Sequence, residues 1–167
     1  MKFGDFFRKW GLNSIKLNLK FAELEFSPTE DDQTAAWDMY VELITRITTQ
    51  PLAQDEGDEA TALESVYSIF GITREILKSK GRNAENFTKI AIVVLNQKIR
   101  PFTAKWHRKK LAGAFDDPTE CLFFRNELSD LQSYLIQYTK SLAELAMVED
   151  LTVIMEEDEE TYSNPTN

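Results

Sequence analysis

The sequence is short of cysteine, glycine, proline and histidine, and each shortage excludes a class of protein. Because Cys121 is the single cysteine in 167 residues, neither a disulfide within the chain nor a cysteine metal cluster can form. Six glycines and five prolines are too few for the many turns of an all-β sandwich, so they favour long helices with short connections. One histidine cannot supply the two Glu-x-x-His pairs of a diiron bundle.

Long apolar runs are missing as well. The longest unbroken run in the interior is residues 90–95, far below the roughly 20 residues that a membrane-spanning helix needs. The N-terminus is charged and lacks the apolar core of a signal peptide. Together with the single cysteine, these features lead us to expect a cytoplasmic protein without a transmembrane segment.

Recognisable catalytic loops are also absent. The sequence contains no glycine-rich phosphate loop, no dinucleotide-binding loop and no Gly-x-Ser-x-Gly nucleophile motif. The acidic loop at residues 51–58 lacks the alternating ligands of a calcium loop, which favours a solvated loop. We therefore expect neither a cofactor nor a metal.

The most regular pattern that is present runs from residue 117 to about residue 148. Asp117 and Pro118 provide an N-cap and a first helical proline, which predict where a long helix begins. Apolar residues then recur at heptad spacing: Cys121, Phe124, Leu128, Leu131, Leu135, Tyr138, Leu142 and Leu145. Leu122, Phe123 and Ile136 widen this face, which favours the core of an intramolecular bundle over a dimer seam. We expect it to pack against residues 90–95.

Four further helices are predicted by capping signals and periodicity. Residues 27–30 repeat the start signal and open a helix that runs to about Thr49, with Trp37 and Val41 among its buried residues. A capping box at Thr61 opens the next helix, in which Gly71 suggests a bend or a close helix approach. A nearly all-round apolar helix around residues 90–95 should be central, and Pro101 should separate it from a helix over 102–111.

The N-terminus adds a short amphipathic helix. Phe3, Phe6, Phe7 and Trp10 share one face of it, and Gly11 ends it. These aromatic residues either dock on the core, the interpretation that we favour, or form an interaction surface. Residues 14–26 fit both strand alternation and helical spacing, and we favour helix because no second strand-like segment could pair with them.

These patterns together predict the fold class. We expect an all-α, single-domain helical bundle over residues 1–155, with about five main helices and the short N-terminal amphipathic helix. Residues 156–167 begin with five adjacent carboxylates, which repel one another, so we expect an acidic disordered tail there.

Charge is distributed unevenly. The chain has a net charge of −9, which argues against general affinity for nucleic acid, yet residues 98–110 contain six cations and no acid. We expect this segment to bind an anion such as RNA, with Phe102 and Trp106 available to stack bases. The candidate anion-binding residues are Lys98, Lys105, Arg108, Lys109 and Lys110.

The same segment resembles one known family. Six residues separate Arg100 from His107, the only histidine, and this Arg-x6-His spacing resembles the motif of HEPN-type ribonucleases, which are all-helical, usually dimeric and metal-independent. The resemblance implies that His107 is the general acid or base and that Arg100 stabilises charge on the phosphate. It covers eight residues, and Pro101 stands where the commoner motif has a polar residue.

The leading functional hypothesis is a non-enzymatic helical module for protein interaction, an accessory subunit with a protein partner or a homodimeric assembly. The style of the sequence suggests a prokaryotic, phage-defence-type system. The first alternative is a HEPN-like, metal-independent ribonuclease that uses Arg100 and His107. The second is an acidic inhibitor that mimics nucleic acid.

Overall fold

A computed structural model describes residues 1–53 and 56–152, which form an all-α bundle. The helices have the following bounds: α1 Phe3–Lys9, α2 Leu19–Ala22, α3 Glu30–Ile44, α4 Glu59–Lys80, α5 Glu85–Val94, α6 Arg100–Leu111 and α7 Pro118–Ala146. The five main helices and the short N-terminal helix confirm the predicted fold class. No helix within the described ranges is both long and apolar enough to cross a membrane. The predicted tail at residues 156–167 lies outside them.

The longest helix, α7, begins as predicted. The Asp117 carboxylate accepts a hydrogen bond from the Thr119 backbone at 2.8 Å, and Pro118 occupies the first turn. Its heptad positions are buried except for Cys121, which is partly exposed. Two details of the prediction were wrong: Leu122 and Phe123 are half exposed, and the principal neighbour of α7 is α3 rather than α5.

Helix α3 is shorter than predicted, and its buried face is only partly the predicted one: Ala36 and Tyr40 are buried as expected. It ends at Ile44 and not near Thr49, because the Thr48 and Thr49 hydroxyls turn back and donate hydrogen bonds to the Leu43 carbonyl. Trp37 and Val41 are exposed, whereas the buried face is formed by other residues. That face comprises Ala35, Ala36, Met39, Tyr40 and Leu43.

Helix α4 begins two residues before the predicted capping box. Asp58 is the N-cap, and its carboxylate accepts a hydrogen bond from the Thr61 backbone at 2.8 Å. The loop before it is held by Arg125 of α7, which pairs with Glu59 at 2.6 Å and donates to the Ala53 carbonyl at 2.6 Å. This contact ties the start of α4 to α7.

Pro101 does not interrupt the helical path, contrary to the prediction. Helix α5 continues through a π-helical turn, Leu95–Ile99, directly into α6, and Arg100 has helical dihedral angles of −60° and −47°. A wider π turn accommodates the ring and the missing N–H of the proline without ending the helix. Arg100 and His107 therefore belong to one continuous helix.

A buried carboxylate, Asp32, connects α3 and α5. It is fully buried and completes a capping box with Thr29 at the start of α3. It also accepts hydrogen bonds from the Asn86 side chain at 2.7 Å and from the Phe87 backbone at 2.8 Å. One negative charge thus lies at the positive ends of two helix dipoles and satisfies donors from both. The capping pattern before α3 could have indicated its local role, but not the contact with α5.

The N-terminal segment folds back on the body of the bundle. Phe3, Phe6 and Phe7 are buried and Trp10 is half-buried, so these rings contribute to the core and are not presented as a surface. Only Leu19–Ala22 of residues 14–26 is helical, because the chain before and after it makes other contacts. One of these is the hydrogen bond at 2.7 Å between the Phe26 backbone and the Met1 carbonyl.

Candidate functional site

Helix α6 carries the candidate residues, and it presents them on two different faces. One face lies against α7 and the N-terminal segment. There Lys105 pairs with Glu127, and Lys109 pairs with Glu120. Lys98, in the preceding π turn, donates to the Ser14 hydroxyl at 2.6 Å. Three of the predicted anion-binding cations are therefore already occupied by groups of the same chain.

The aromatic residues of the segment are part of the core. Trp106 is fully buried, packs against Phe115 and Phe124, and donates from Nε1 to Glu127 at 2.9 Å. Phe102 is 8% exposed. Neither ring can stack on a base, so this part of the prediction was wrong. The two rings can be buried within a basic segment because the neighbouring lysine side chains extend to the surface while the rings point inward.

The second face of α6 lies along α4. The Arg100 guanidinium lies over the Phe70 ring at 5.0 Å and donates from Nε to Asn96 at 3.0 Å. His107 makes an edge contact with the Tyr67 ring, with centroids 4.8 Å apart, and its Nε2 lies 3.6 Å from the Glu64 carboxylate. Arg100 and His107 are two helical turns apart on one side of α6, about 10 Å along its axis.

The two remaining predicted anion-binding residues are in different situations. Lys110 pairs with Glu64 at 3.1 Å, and this hydrogen bond is the main reason that the pKa of the Glu64 carboxyl is lowered. Arg108 is exposed and has no ion pair or hydrogen bond within the described residues. The segment 98–110 is therefore not one basic surface.

Two cations of α4 follow Phe70, the ring under Arg100, by one and two helical turns. Arg74 and Lys78 are exposed and make no hydrogen bond or ion pair with any residue that the structure describes. Helices α4 and α6 are antiparallel, because Phe70 faces Arg100 while Glu64 faces Lys110. Arg74 lies one turn beyond Phe70, about 6 Å along α4. We call Tyr67, Gly71, Arg74, Lys78 and Arg100 the cationic stripe.

The cationic stripe was not predicted, because Arg100 is distant along the chain from its other four members. Lys78 lies in the last turn of α4, where a cation is favourable for the helix dipole, and Arg74 is adjacent to Glu75, so neither residue indicated a binding site. Gly71 at its centre does not mark a close helix approach, since a Cβ atom at this position would meet no other element of the described chain within 4 Å. The glycine faces open space.

A second surface feature is an open groove between α3 and α4. It has a volume of about 430 Å³, and Trp37, Val41 and Ile72 provide its apolar surface. Trp37 is 45% exposed and Val41 is 38% exposed. Three carboxylates lie at its rim: Asp38 and Glu42 of α3 and Glu75 of α4. The groove was not predicted, because the helical spacing of Trp37 and Val41 indicated that both are buried.

Burial shifts the pKa values of one lysine and two tyrosines on the α7 side. It lowers the pKa of the Lys98 ammonium, which lies 4.5 Å from the centre of the Tyr134 ring. Burial also raises the pKa of the Tyr134 and Tyr138 phenols above the ordinary value. Neither phenolic oxygen has a hydrogen-bond partner within the described part of the chain.

Within residues 1–53 and 56–152, no group of three or more His, Cys, Asp or Glu side chains could hold a metal ion. Comparisons of the chain with protein-family models, with curated proteins and with solved structures found no match.

Proposed function

We propose that this protein is a non-enzymatic helical interaction module whose groove between α3 and α4 binds an amphipathic helix of a partner protein. The observation that supports this function is the exposure of Trp37 and Val41 together in one groove. Exposed tryptophan side chains in concave apolar sites are typical of the centres of protein interfaces. The groove lies between two antiparallel helices, a geometry that accepts a third helix along it.

The rim of the groove favours a basic partner. Lys80 pairs with Asp38 at one end, and Arg46 pairs with Glu42 at the other. Glu75 is exposed between them and has no cation partner among the described residues. The 167-residue chain carries a net charge of −9, so a basic helix would be attracted to it before contact. We therefore assign the groove to a helix with aliphatic residues on one face and lysine or arginine beside them.

The test uses the fluorescence of Trp37. A synthetic helix with leucine at positions i, i+4 and i+7 and lysine on its other face is titrated into the protein. Binding should shift the tryptophan emission to shorter wavelength, because docking removes Trp37 from water. Trp37→Phe should abolish this shift, and calorimetry should still detect binding. A matched peptide with glutamate in place of lysine should bind at least about tenfold more weakly.

Two variants locate the binding surface. Val41→Lys places a charge in the groove and should weaken binding about tenfold or more. Leu122→Lys is the matched control, because Leu122 is similarly exposed, at 49%, but lies on α7. Equal effects of the two substitutions would contradict the assignment. So would light scattering that shows a dimer which Val41→Lys dissociates, since the groove would then be occupied by a second copy.

A metal-independent ribonuclease is the second candidate function. It is favoured by the placement of Arg100 and His107 on one side of α6, where the Glu64 carboxylate near His107 can orient the imidazole. In this function His107 transfers a proton to or from the 2′-hydroxyl or the leaving oxygen. Arg100 stabilises the charge that develops on the phosphate.

The ribonuclease function is tested with labelled single-stranded RNA in the presence of a chelator. His107→Ala and Arg100→Ala should each abolish cleavage, whereas Lys105→Ala, on the α7 side of the same helix, should retain it. Absence of cleavage by the unaltered protein would remove this candidate and leave the interaction module.

A further inference from the structure

Arg74 and Arg100 both lie close to Phe70: Arg100 lies over its ring, and Arg74 follows it by one turn of α4. Neither pairs with a carboxylate within the described ranges. Arg100 is bonded to the neutral Asn96 side chain, and Arg74 has no polar partner in the described ranges. The nearest carboxylates on α4 are engaged or directed elsewhere: Glu64 contacts Lys110, and Glu75 lines the α3 groove. Guanidinium groups on two adjacent helices are suited to binding the oxygens of one phosphate group.

Gly71 provides space beside these arginines. Glycine in the middle of a helix is unfavourable relative to alanine, and no neighbouring group in the described part of the chain requires its small size. Its missing side chain leaves the backbone of α4 open between Tyr67 and Arg74, which lie one turn to either side of it. An external group can therefore approach the helix surface closely at this position.

Tyr67 provides an exposed aromatic face at the edge of this space. Its ring is held from two sides, by His107 at 4.8 Å and by Phe70 at 5.7 Å between centroids. The residue nevertheless remains 49% exposed. A half-exposed ring held in a fixed orientation is suited to stacking on a planar base.

We propose that the cationic stripe binds a nucleoside phosphate, with the phosphate between Arg74 and Arg100, the base against Tyr67 and the ligand seated over Gly71. The net charge of −9 favours a small ligand over a long nucleic acid, because the acidic surface repels phosphates outside the stripe. This site is separate from the α3–α4 groove and requires no cleavage of RNA.

The first measurement is calorimetric titration of the full chain with each of the four ribonucleoside triphosphates at low salt. At least one should bind, with an affinity that falls as salt is raised. Inorganic triphosphate and the free nucleoside should each bind at least about tenfold more weakly, since each retains only one of the two contacts. Arg74→Ala should also weaken nucleotide binding about tenfold.

Gly71→Gln separates binding from folding. It should raise the Tm by about 2–4 °C, because it removes a helix-interior glycine, while its side chain blocks the nucleotide. Tyr67→Ala should weaken nucleotide binding but leave inorganic triphosphate unaffected, and Lys105→Ala should change neither. The proposal is overturned by nucleotide affinity that Gly71→Gln leaves unchanged, by equal affinity for nucleotide and triphosphate, or by no binding at low salt. None of these outcomes bears on peptide binding in the groove.

Discussion

The two faces of α6 contain similar residues but use them differently. Towards α7, each cation that the structure places there has a partner in the same chain, and a buried tryptophan lies beneath them. Towards α4, Lys110 pairs with Glu64, but the α4 cations Arg74 and Lys78 have no polar partner among the described residues, and the Tyr67 ring is half exposed. The α7 side therefore contributes to stability, whereas the α4 side has cations and an aromatic ring that can still bind a ligand.

This difference shows why a count of charges does not identify a binding surface. The lysines on the α7 side cover the edges of a core, and their carboxylate partners belong to a helix that is distant in sequence. The capacity to bind an anion depends on the cations that remain after such internal pairs are formed. Four substitution experiments test whether the two faces differ in this way.

The largest expected effect is that of Trp106→Ala. Loss of a fully buried indole that packs on two phenylalanines should lower the free energy of unfolding by about 4 kcal/mol. Tyr67→Ala, on the other face, should cost less than about 1 kcal/mol because half of that ring already contacts water. Urea denaturation measures the free energy of unfolding of both variants, and similar losses would contradict the difference between the two faces.

Glu127→Ala should have the next largest effect. It leaves the buried Trp106 N–H without an acceptor, and we expect a loss of about 2 kcal/mol. Glu127→Gln keeps an acceptor and should recover more than half of this loss. The matched substitution on the other face, Glu64→Ala, removes an exposed carboxylate and should cost less than about 0.5 kcal/mol.

Alkaline pH should destabilise the protein through the buried Tyr138 of α7. Burial raises the folded-state pKa of Tyr138, so its phenol ionises more readily in the unfolded chain, where the pKa is about 10. Stability is therefore retained below about pH 10 and falls as the pH rises above it. Urea midpoints at pH 8 and pH 10.5 measure this loss, and Tyr138→Phe should reduce it. If Tyr138→Phe loses as much stability between pH 8 and pH 10.5 as the unaltered protein, other groups cause the loss.

The smallest effects on stability are expected for single surface cations. Lys109→Ala and Arg74→Ala should each change the free energy of unfolding by less than about 0.5 kcal/mol. They should differ in ligand binding, because only Arg74→Ala removes a cation that has no internal partner. Calorimetry with the ribonucleoside triphosphates distinguishes them, and equal losses of affinity would contradict the contrast between the two faces.

Sequence patterns predicted the helices better than their faces. The heptad spacing and the Asp117-Pro118 start predicted α7, because both signals depend on residues close together in the chain. The same patterns predicted that Trp37 and Val41 are buried and that Trp106 is exposed, and all three predictions were wrong. An apolar residue at helical spacing can fall on either of two adjacent faces, and neighbouring helices decide which one is covered.

The candidate site was predicted only in part. Arg100 and His107 were found as a sequence pair, but Pro101 suggested a break in the helix that the π turn avoids. Tyr67 and Arg74 were not associated with them, because they lie about 30 residues earlier and only the antiparallel packing of α4 on α6 brings them near. Local propensity contains no information about such a contact.

The sequence by itself determined that this chain is helical, where α7 begins, and that its acidic charge is interrupted by a basic segment. These properties follow from capping, periodicity and composition, which act over a few residues. Only the tertiary structure decided that three lysines of the basic segment pair with carboxylates of other helices, and that Asp32 joins two helix ends. Those outcomes depend on which carboxylates and backbone groups meet after packing, and burial of apolar area determines that packing.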